Sequence, residues 1–297
     1  MTRLIVVLFV LILPLRAFGA EPIKMKYALS LYDDEKGKGL NQPEGVACTE
    51  DRLVVADTGN GRIILYSLQG GEPRGGAEIK IPQVLYPIKV SIGSTGDLFI
   101  LDERQRKVVH LTREGAFTGY VEISGLPVQG MVVPGGIAVD GKDSLYLLDI
   151  LGGRVLVLAS DGKFQQQIDF PRDSVFITDL AVDPKGVIFL VDGAQSVVYS
   201  NAKDPAAFSP ITGKLKDELK FPSNIALDVK GALFISDQNS GGVVVVGQDG
   251  IFRNRLLSLG WKEGTVRYPA QICIGNNGAF FVADRANSRI QMFTPLR

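Results

Sequence analysis

One unit of about 45 residues recurs six times along the chain, and this periodicity limits the possible folds more than any other feature. Each copy contains a short apolar strand, a turn, a second apolar strand that ends in Asp, a polar hairpin and a third strand. The closing aspartates are 45, 47, 43, 45 and 47 residues apart, and they are Asp57, Asp102, Asp149, Asp192, Asp237 and Asp284. This regular spacing indicates one supersecondary unit repeated over the chain.

The residues of each unit favour strands over helices. Runs such as LVVAD, LFILD and IFLVD are short, rich in β-branched and aromatic residues, and bounded by Gly, Asn, Asp or Pro. A fourth strand follows in most units, as in FTGYVEI and KFQQQIDF. Because a four-stranded unit of this period is typical of a propeller blade, we predict an all-β, six-bladed β-propeller that forms a single domain over residues 21–297.

The two ends of the chain predict how the ring closes. The last unit stops after its third strand, RIQMFT, whereas an additional strand-like segment, KYALSLYD at about 26–33, precedes the first unit. We predict that this segment supplies the fourth strand of the last blade. Such pairing removes the exposed sheet edges that an open array would leave.

The repeat resembles the NHL repeat. Two copies match its Asp, Asn and Arg positions in full, in DTGNGRI from Asp57 and DRANSRI from Asp284, whereas units four and five carry Val197 and Gly242 at the basic position. The resemblance implies a propeller and, in most members, a binding platform. It also implies similarity to the peptidyl-hydroxyglycine amidating lyases and to gluconolactonase-like and paraoxonase-like propellers, so the fold alone does not select a function.

The N-terminus is typical of a secretory signal. Residues 1–20 begin with a basic residue, contain an unbroken apolar run from Leu4 to Leu13, and end in small residues. A retained membrane anchor is the alternative, but ten apolar residues are too few to cross a bilayer as a helix. We therefore predict a cleaved signal peptide, a periplasmic or secreted protein, and no transmembrane segment after the signal is removed.

Composition excludes several classes of function. The chain has 32 basic and 32 acidic residues, and loss of two arginines with the signal leaves the mature charge at −2, which argues against a nucleic-acid partner. His110 is the only histidine, so zinc-dependent lyase chemistry lacks ligands, and we expect His110 to be a strand residue away from the axis. These features favour a binding protein over an enzyme. We predict an envelope protein or an anionic envelope polymer as its partner, and a monomeric state.

The first strands of a propeller line its central channel, so their entry positions predict a site at the channel mouth. Aligned units place five polar residues there, namely Glu44, Lys89, Asp179, Asn224 and Gln271. Glu44, Asp179 and Asn224 resemble in residue type the calcium ligands of gluconolactonase-like propellers. The competing hypothesis is therefore a calcium-dependent hydrolase or lactonase, whereas the favoured one needs no cofactor.

The hairpins after the second strands predict a basic sector on the same face of the ring. Units one, two, three and six contribute its members, whereas units four and five contribute none. The basic residues are Arg62, Arg104, Arg106, Lys107, Arg154, Arg285 and Arg289. For the six repeated aspartates we predict a structural role, in which they cap the strand-end turns and pair with arginines.

The two cysteines lie in first strands of neighbouring units, the first and the sixth. Alignment matches Cys273 to Ala47 and Cys48 to Ile274, which places the two thiols on opposite faces of their strands. On this ground we expect two buried free thiols rather than a disulfide, although an oxidising compartment would permit the bond.

Overall fold

The structure is a computed structural model that describes residues 22–128, 130–213 and 215–296. The predicted signal peptide at 1–20 lies outside the described residues. Six four-stranded antiparallel sheets, the blades, form the fold, with a chain-order topology in five of them. Among the described residues, no helix is long and apolar enough to cross a membrane.

The strands follow the predicted units closely. Blades 1 to 3 consist of β2 (Gly45–Cys48), β3 (Arg52–Asp57), β4 (Arg62–Gln69) and β5 (Glu72–Ile79); β6 (Pro87–Ile92), β7 (Leu98–Asp102), β8 (Lys107–Leu111) and β9 (Phe117–Tyr120); and β10 (Pro134–Val139), β11 (Leu145–Asp149), β12 (Arg154–Leu158) and β13 (Phe164–Asp169). The second strand of each of these blades ends at its repeated aspartate.

Blades 4 to 6 have the same plan. They consist of β14 (Ile177–Val182), β15 (Ile188–Asp192), β16 (Val197–Asp204) and β17 (Ala207–Pro210); β18 (Pro222–Leu227), β19 (Leu233–Asp237), β20 (Gly242–Val246) and β21 (Phe252–Leu256); and β22 (Pro269–Ile274), β23 (Phe280–Asp284), β24 (Arg289–Pro295) and the N-terminal β1 (Met25–Leu31). Short 3-10 helices, Thr58–Asn60 and Arg285–Asn287, occur in the hairpins of blades 1 and 6.

Ring closure by the N-terminal strand is confirmed. β1 pairs antiparallel with β24, from Met25 opposite Pro295 to Leu31 opposite Ile290. The strand ends two residues before the predicted boundary, because Tyr32 already belongs to a loop in which its carbonyl accepts a hydrogen bond from Leu40 N. Both chain ends therefore lie within one sheet, and the last blade has its fourth strand.

The apolar core is divided into six clusters, one at each interface between neighbouring blades. In blade 1, Val55 and Ile64 face blade 6, whereas Val54 and Ile63 face blade 2. Each sheet thus buries one face against the blade before it and the other against the blade after it. This explains why the central strands read as continuous apolar runs rather than as alternating ones.

The expectation of free thiols is wrong. Cys48 and Cys273 form a disulfide across the junction of blades 1 and 6, with a Cα–Cα distance of 6.0 Å. Alignment gave the orientation correctly, since Cys48 lies opposite Leu53 and Cys273 lies opposite Phe281. The error lay in the conclusion: neighbouring blades meet by opposite faces, so thiols that point to opposite faces of equivalent strands point towards each other.

Candidate functional site

The first strands enter the channel from one end of the ring, which we call the top face. This face carries the hairpins after each second strand and the loops that lead into each first strand, because the four strands of a blade alternate in direction. The opposite, bottom face carries the turns after the first and third strands. The predicted mouth residues and basic hairpins both belong to the top face.

Four of the five predicted mouth residues form a connected layer in the channel, which we call the polar belt: Lys89, Asp179, Asn224 and Gln271. Lys89 and Asp179 join in an ion pair, with Nζ 2.5 Å from Oδ1. The Asn224 amide donates to Asp179 Oδ2, and its own Oδ1 accepts from Ile272 N at 2.9 Å. Lys89, Asp179 and Asn224 are buried.

Gln271 completes the belt on the other side of the channel. Its Oε1 accepts hydrogen bonds from Val46 N at 3.2 Å and Val90 N at 3.1 Å, and its Nε2 donates to the Val90 carbonyl at 2.9 Å. The belt therefore links blade 6 to blades 1 and 2, blade 2 to blade 4, and blades 4, 5 and 6 to one another.

Two glycines allow the belt to span non-adjacent blades. Gly45 and Gly136 occupy the positions in blades 1 and 3 that are equivalent to the four belt residues, since they pair with Ala56 and Leu148 of the second strands. A Cβ on Gly136 would lie 3.1 Å from Asp179 Oδ1, and one on Gly45 would lie 3.3 Å from Gln271 Oε1. Small residues at these two positions leave the space that the long side chains cross.

The belt forms the upper boundary of a cavity of about 240 Å³ in the channel. The lower wall of this cavity includes the Cys48–Cys273 disulfide and the bottom halves of the first strands. The side chains of Lys89, Asp179, Asn224 and Gln271 each have a polar partner within the chain. The belt residues therefore join five of the six blades around the axis, blades 1, 2, 4, 5 and 6.

The belt does not fit the calcium alternative. Lys89 already contributes its positive charge at Asp179, and the oxygens of Asp179 and Asn224 accept hydrogen bonds from nitrogen donors. Glu44, the third proposed ligand, pairs instead with Arg285 at 3.2 Å. Calcium needs several free oxygen ligands converging on one point, and among the described residues no group of three metal-binding side chains occurs.

Glu44 lies above the belt at the edge of the top face. Burial raises the pKa of its carboxyl, and the nearby Arg285 guanidinium partly offsets this effect. The Glu44 carbonyl accepts a hydrogen bond from Gln271 N at 2.9 Å, which ties this residue to the next blade. Glu44 thus links the channel wall to the exposed loops above it.

The inclusion of Arg62 and Arg289 in a basic binding surface is wrong, because both are buried. Arg62 pairs with Asp57 at 2.6 Å and with Asp34 at 2.5 Å, and Arg289 pairs with Asp284 at 2.7 Å. Ion pairing with a strand-end aspartate makes these arginines structural.

The remaining basic hairpin residues differ in their surroundings. Arg154 pairs with Asp149 at 3.0 Å, and the Lys107 ammonium lies 4.4 Å from the centre of the Tyr120 ring. Arg104 and Arg106 are exposed. The hairpins therefore contribute two exposed arginines in blade 2 and a half-buried Arg285 in blade 6, rather than a continuous basic sector.

All six repeated aspartates are fully buried and accept hydrogen bonds from the loops around them. Asp102 accepts from Leu85 N and Tyr86 N, and Asp192 accepts from Val175 N and Phe176 N. These bonds fix the entry loop of each blade to its own second strand. The other four form equivalent bonds through Asn41 N to Asp57, Val133 N to Asp149, Phe221 N to Asp237, and Arg267 N to Asp284.

Sequence reasoning missed the partner of Asp237. The aligned basic position in blade 5 is Gly242, but Arg255 reaches over from β21, with Nη2 3.5 Å from Asp237 Oδ2. A Cβ on Gly242 would lie 2.8 Å from the same guanidinium nitrogen. In blade 5 the arginine that pairs with the repeated aspartate therefore lies on β21 and not on β20. The two arginines in the FRNRL sequence of β21 are the signal from which this pairing could have been predicted.

His110 lies far from the top face. It is half-buried in β8, stacks on Phe99 with ring centroids 4.7 Å apart, and lies 3.1 Å from the Asp97 carboxylate in a bottom turn. The axis of the channel therefore has no histidine.

The fold and channel define this protein as a six-bladed β-propeller. More specifically, it is one that carries NHL repeat sequence: the NHL repeat profile matches residues 266–293, which include β22, β23 and the DRANSRI hairpin. A comparison with curated protein sequences finds no match.

Solved structures with the same fold have varied functions. A virginiamycin B lyase from Staphylococcus aureus is 12% identical, with a TM-score of 0.64, covering 92% of this chain and 100% of the lyase. An auxiliary nutrient binding protein from Bacteroides thetaiotaomicron VPI-5482 is 13% identical, with a TM-score of 0.67, covering 92% of this chain and 73% of that protein. A nidogen/laminin complex contains a chain with 18% identity and a TM-score of 0.57, covering 73% of this chain and 80% of that one.

Proposed function

We propose that this protein is an exported binding platform that engages a protein of the cell envelope through its top face. The observation that carries the proposal is the distribution of exposed apolar side chains. Of the 15 large hydrophobic residues exposed in the described part of the chain, 11 lie in top-face loops and hairpins. They are Tyr32, Leu85, Val128, Met131, Ile150, Leu151, Val175, Phe176, Leu259, Trp261 and Tyr268.

The bottom face has a different character. Its exposed large hydrophobics are Phe117, Val229, Ile251 and Leu296. Its turns are short and polar, built on side-chain hydrogen bonds such as Lys185 N to Asp183. Concentration of apolar side chains on one face, with polar residues between them, is typical of a protein-binding surface.

The channel is a poorer candidate for the binding surface than the top-face loops. A ligand entering from the top face would meet the polar belt, whose groups are already paired, so we assign recognition to the loops above the belt. The single histidine argues against lyase chemistry of the kind suggested by a catalytically inactive histidine-to-alanine variant of virginiamycin B lyase. We therefore favour a binding role over a hydrolase or lyase.

Export rests on the predicted signal and is supported by the disulfide, because such bonds persist mainly in oxidising compartments. Cell fractionation and N-terminal sequencing test it. We expect the protein in the periplasmic or extracellular fraction with an N-terminus near Glu21. Recovery in the cytoplasm with Met1 intact would contradict export, and an intact N-terminus in the membrane fraction would favour the anchor.

Site-specific photo-crosslinking tests the binding face. A benzoylphenylalanine residue replaces Trp261 or Phe176 on the top face, and Val229 or Ile251 on the bottom face as matched controls. In cells that produce the protein, we expect discrete adducts from the top positions, with the same partner identified by mass spectrometry at both. Adducts from the bottom positions alone, or from none of the four, would overturn the proposal.

A further inference from the structure

A pocket on the top face lies between blades 5, 6 and 1, beside the channel mouth, and we call it the arginine pocket. Its volume is about 350 Å³, and it is lined by Gln42, Gln238, Arg267, Tyr268, Arg285 and Ala286. Its walls come from the entry loops of blades 1 and 6 and the hairpins of blades 5 and 6.

The charges of this pocket are incompletely paired. In the part of the chain that the structure describes, no side chain forms a hydrogen bond or ion pair with the exposed Arg267 guanidinium. Arg285 uses Nε to contact Glu44, which leaves its two terminal nitrogens. Two guanidinium groups therefore line the pocket, and the carboxylate that pairs with one of them, Glu44, is not among its lining residues.

The backbone of the pocket departs from the repeat. Gln42 and Tyr268, the residues before the first-strand prolines of neighbouring blades 1 and 6, have φ angles of 48° and 50°. The equivalent Tyr86, Val133 and Phe221 are not in this left-handed region, and each donates its N–H to the blade's aspartate.

In the arginine pocket only the preceding residue bonds the aspartate, through Asn41 N and Arg267 N, whereas Gln42 and Tyr268 do not and line the pocket instead. A left-handed conformation is unfavourable for a bulky residue such as tyrosine, and strain of this kind concentrates at functional sites. Two of the seven described non-glycine residues with positive φ thus line one pocket of six residues.

We propose that the arginine pocket binds the carboxylate side chain of a peptide segment in the partner protein. The proposal rests on the binding-platform function and names the chemistry of its partner. Arg267 makes the principal contact, because a guanidinium presents parallel N–H donors that match both oxygens of a carboxylate. The Gln42 and Gln238 amides are able to bond the peptide backbone, and Tyr268 provides an aromatic wall.

The surroundings favour a protein over an anionic polymer. Binding to a polyanion needs a track of cations that together neutralise many charges. On this top face, acids accompany three of the exposed bases: Glu103 precedes Arg104, Asp173 follows Arg172, and Glu263 follows Lys262. A single uncompensated pocket among exposed apolar residues fits one anchoring acid at a protein interface.

Fluorescence of Trp261 provides a direct assay, because it is the only tryptophan, is 75% exposed, and precedes Arg267 in the same loop. The probe is the blocked peptide Gly-Gly-Phe-Glu-Gly-Gly, and its control replaces Glu with Gln. We expect a saturable change with a Kd at least tenfold lower for the Glu peptide. Equal affinity for both peptides, or no binding of either, would overturn the proposal.

Matched variants assign the contact. We expect Arg267→Gln to raise the Kd of the Glu peptide at least tenfold and Arg267→Lys to raise it less. Arg172→Gln, which removes an exposed charge from the far side of the top face, should leave it unchanged. Wild-type affinity in Arg267→Gln would refute the assignment, as would tighter, Arg267-dependent binding of glycerol phosphate, which would indicate a phosphate-bearing polymer.

The two proposals fail separately. If Arg267→Gln retains the top-face photo-adducts and binds the Glu peptide normally, the arginine pocket is excluded while the binding platform stands. If the top positions give no adducts in cells, the platform fails, whatever the peptide titration shows.

Discussion

The channel wall and the top face use the same kinds of residues in opposite ways. In the channel, Lys89, Asp179, Asn224 and Gln271 find all their partners inside the chain, across blade boundaries. On the top face, Arg267 has a guanidinium without a partner in the described residues, and large apolar side chains are exposed around it. Whether a polar residue in a propeller stabilises the fold or is available for binding therefore depends on whether its partners lie within the ring.

The strongest test of this contrast is removal of the belt cation. In Lys89→Met, Asp179 keeps a buried negative charge without its counterion, so we expect the free energy of unfolding in urea to fall by about 3–5 kcal/mol. Arg267→Ala is the top-face control and should change it by no more than about 0.5 kcal/mol.

The double variant Lys89→Met/Asp179→Leu separates charge from packing. Since it removes both buried charges, we expect it to recover part of the lost stability. Equal destabilisation by Lys89→Met and Arg267→Ala would mean that the channel wall and the top face do not differ in the way described.

The second test concerns the disulfide in the channel wall. Because Cys48 and Cys273 are separated by 225 residues, the bond restricts nearly the whole unfolded chain, and its reduction should lower stability by about 2–5 kcal/mol. Thermal unfolding with and without reductant measures the effect. Cys48→Ser/Cys273→Ser should melt near the reduced protein and show no response to reductant; an unchanged melting temperature in fully reduced wild-type protein would argue against a stabilising bond.

A smaller loss of stability is expected from filling the space beside Gly136 of blade 3, past which the Lys89–Asp179 ion pair joins blades 2 and 4. A methyl group in Gly136→Ala would crowd Asp179 Oδ1 and Leu180, each 3.1 Å from the new atom, and we expect a loss of about 1–3 kcal/mol. Gly141→Ala is the control, because a Cβ there meets no atom within 4 Å. Equal denaturation midpoints for the two variants would show that the belt tolerates the methyl group.

The smallest expected effect on stability comes from the titration of Glu44, which lies at the boundary between the channel wall and the top face. Because burial raises the pKa of its carboxyl in the folded state, the folded protein holds this proton to higher pH than the unfolded chain does. The contribution of Glu44 to stability is therefore present below its usual pKa and decreases as pH rises through the folded value.

Carbon-13 NMR titration of the side chain measures this directly. The signal assigned to Glu44 by its loss in Glu44→Gln should show a pKa above the usual value of a glutamate carboxyl, and the variant should lack that part of the pH dependence of unfolding. A normal or lowered Glu44 pKa would contradict the burial argument.

Particular residues show how far the sequence predicts the structure. The spacing of Asp57 and its five equivalents predicts the blades, and KYALSLYD predicts the closing strand, because strand patterns and periodicity are local signals. The same alignment places Lys89, Asp179, Asn224 and Gln271 at one level of the channel. It does not reveal that Gly45 and Gly136 let them connect, because those contacts join residues far apart in the chain.

The sequence by itself determined the six blades, the level of the polar residues in the channel and the face towards which each cysteine points. Only the tertiary structure decided which of these groups meet: the disulfide, the closed belt, the burial of Arg62 and Arg289, and the exposure of Arg267. The physical reason is that a repeat fixes each strand's own geometry, whereas partners are set by how one blade's face lies against the next.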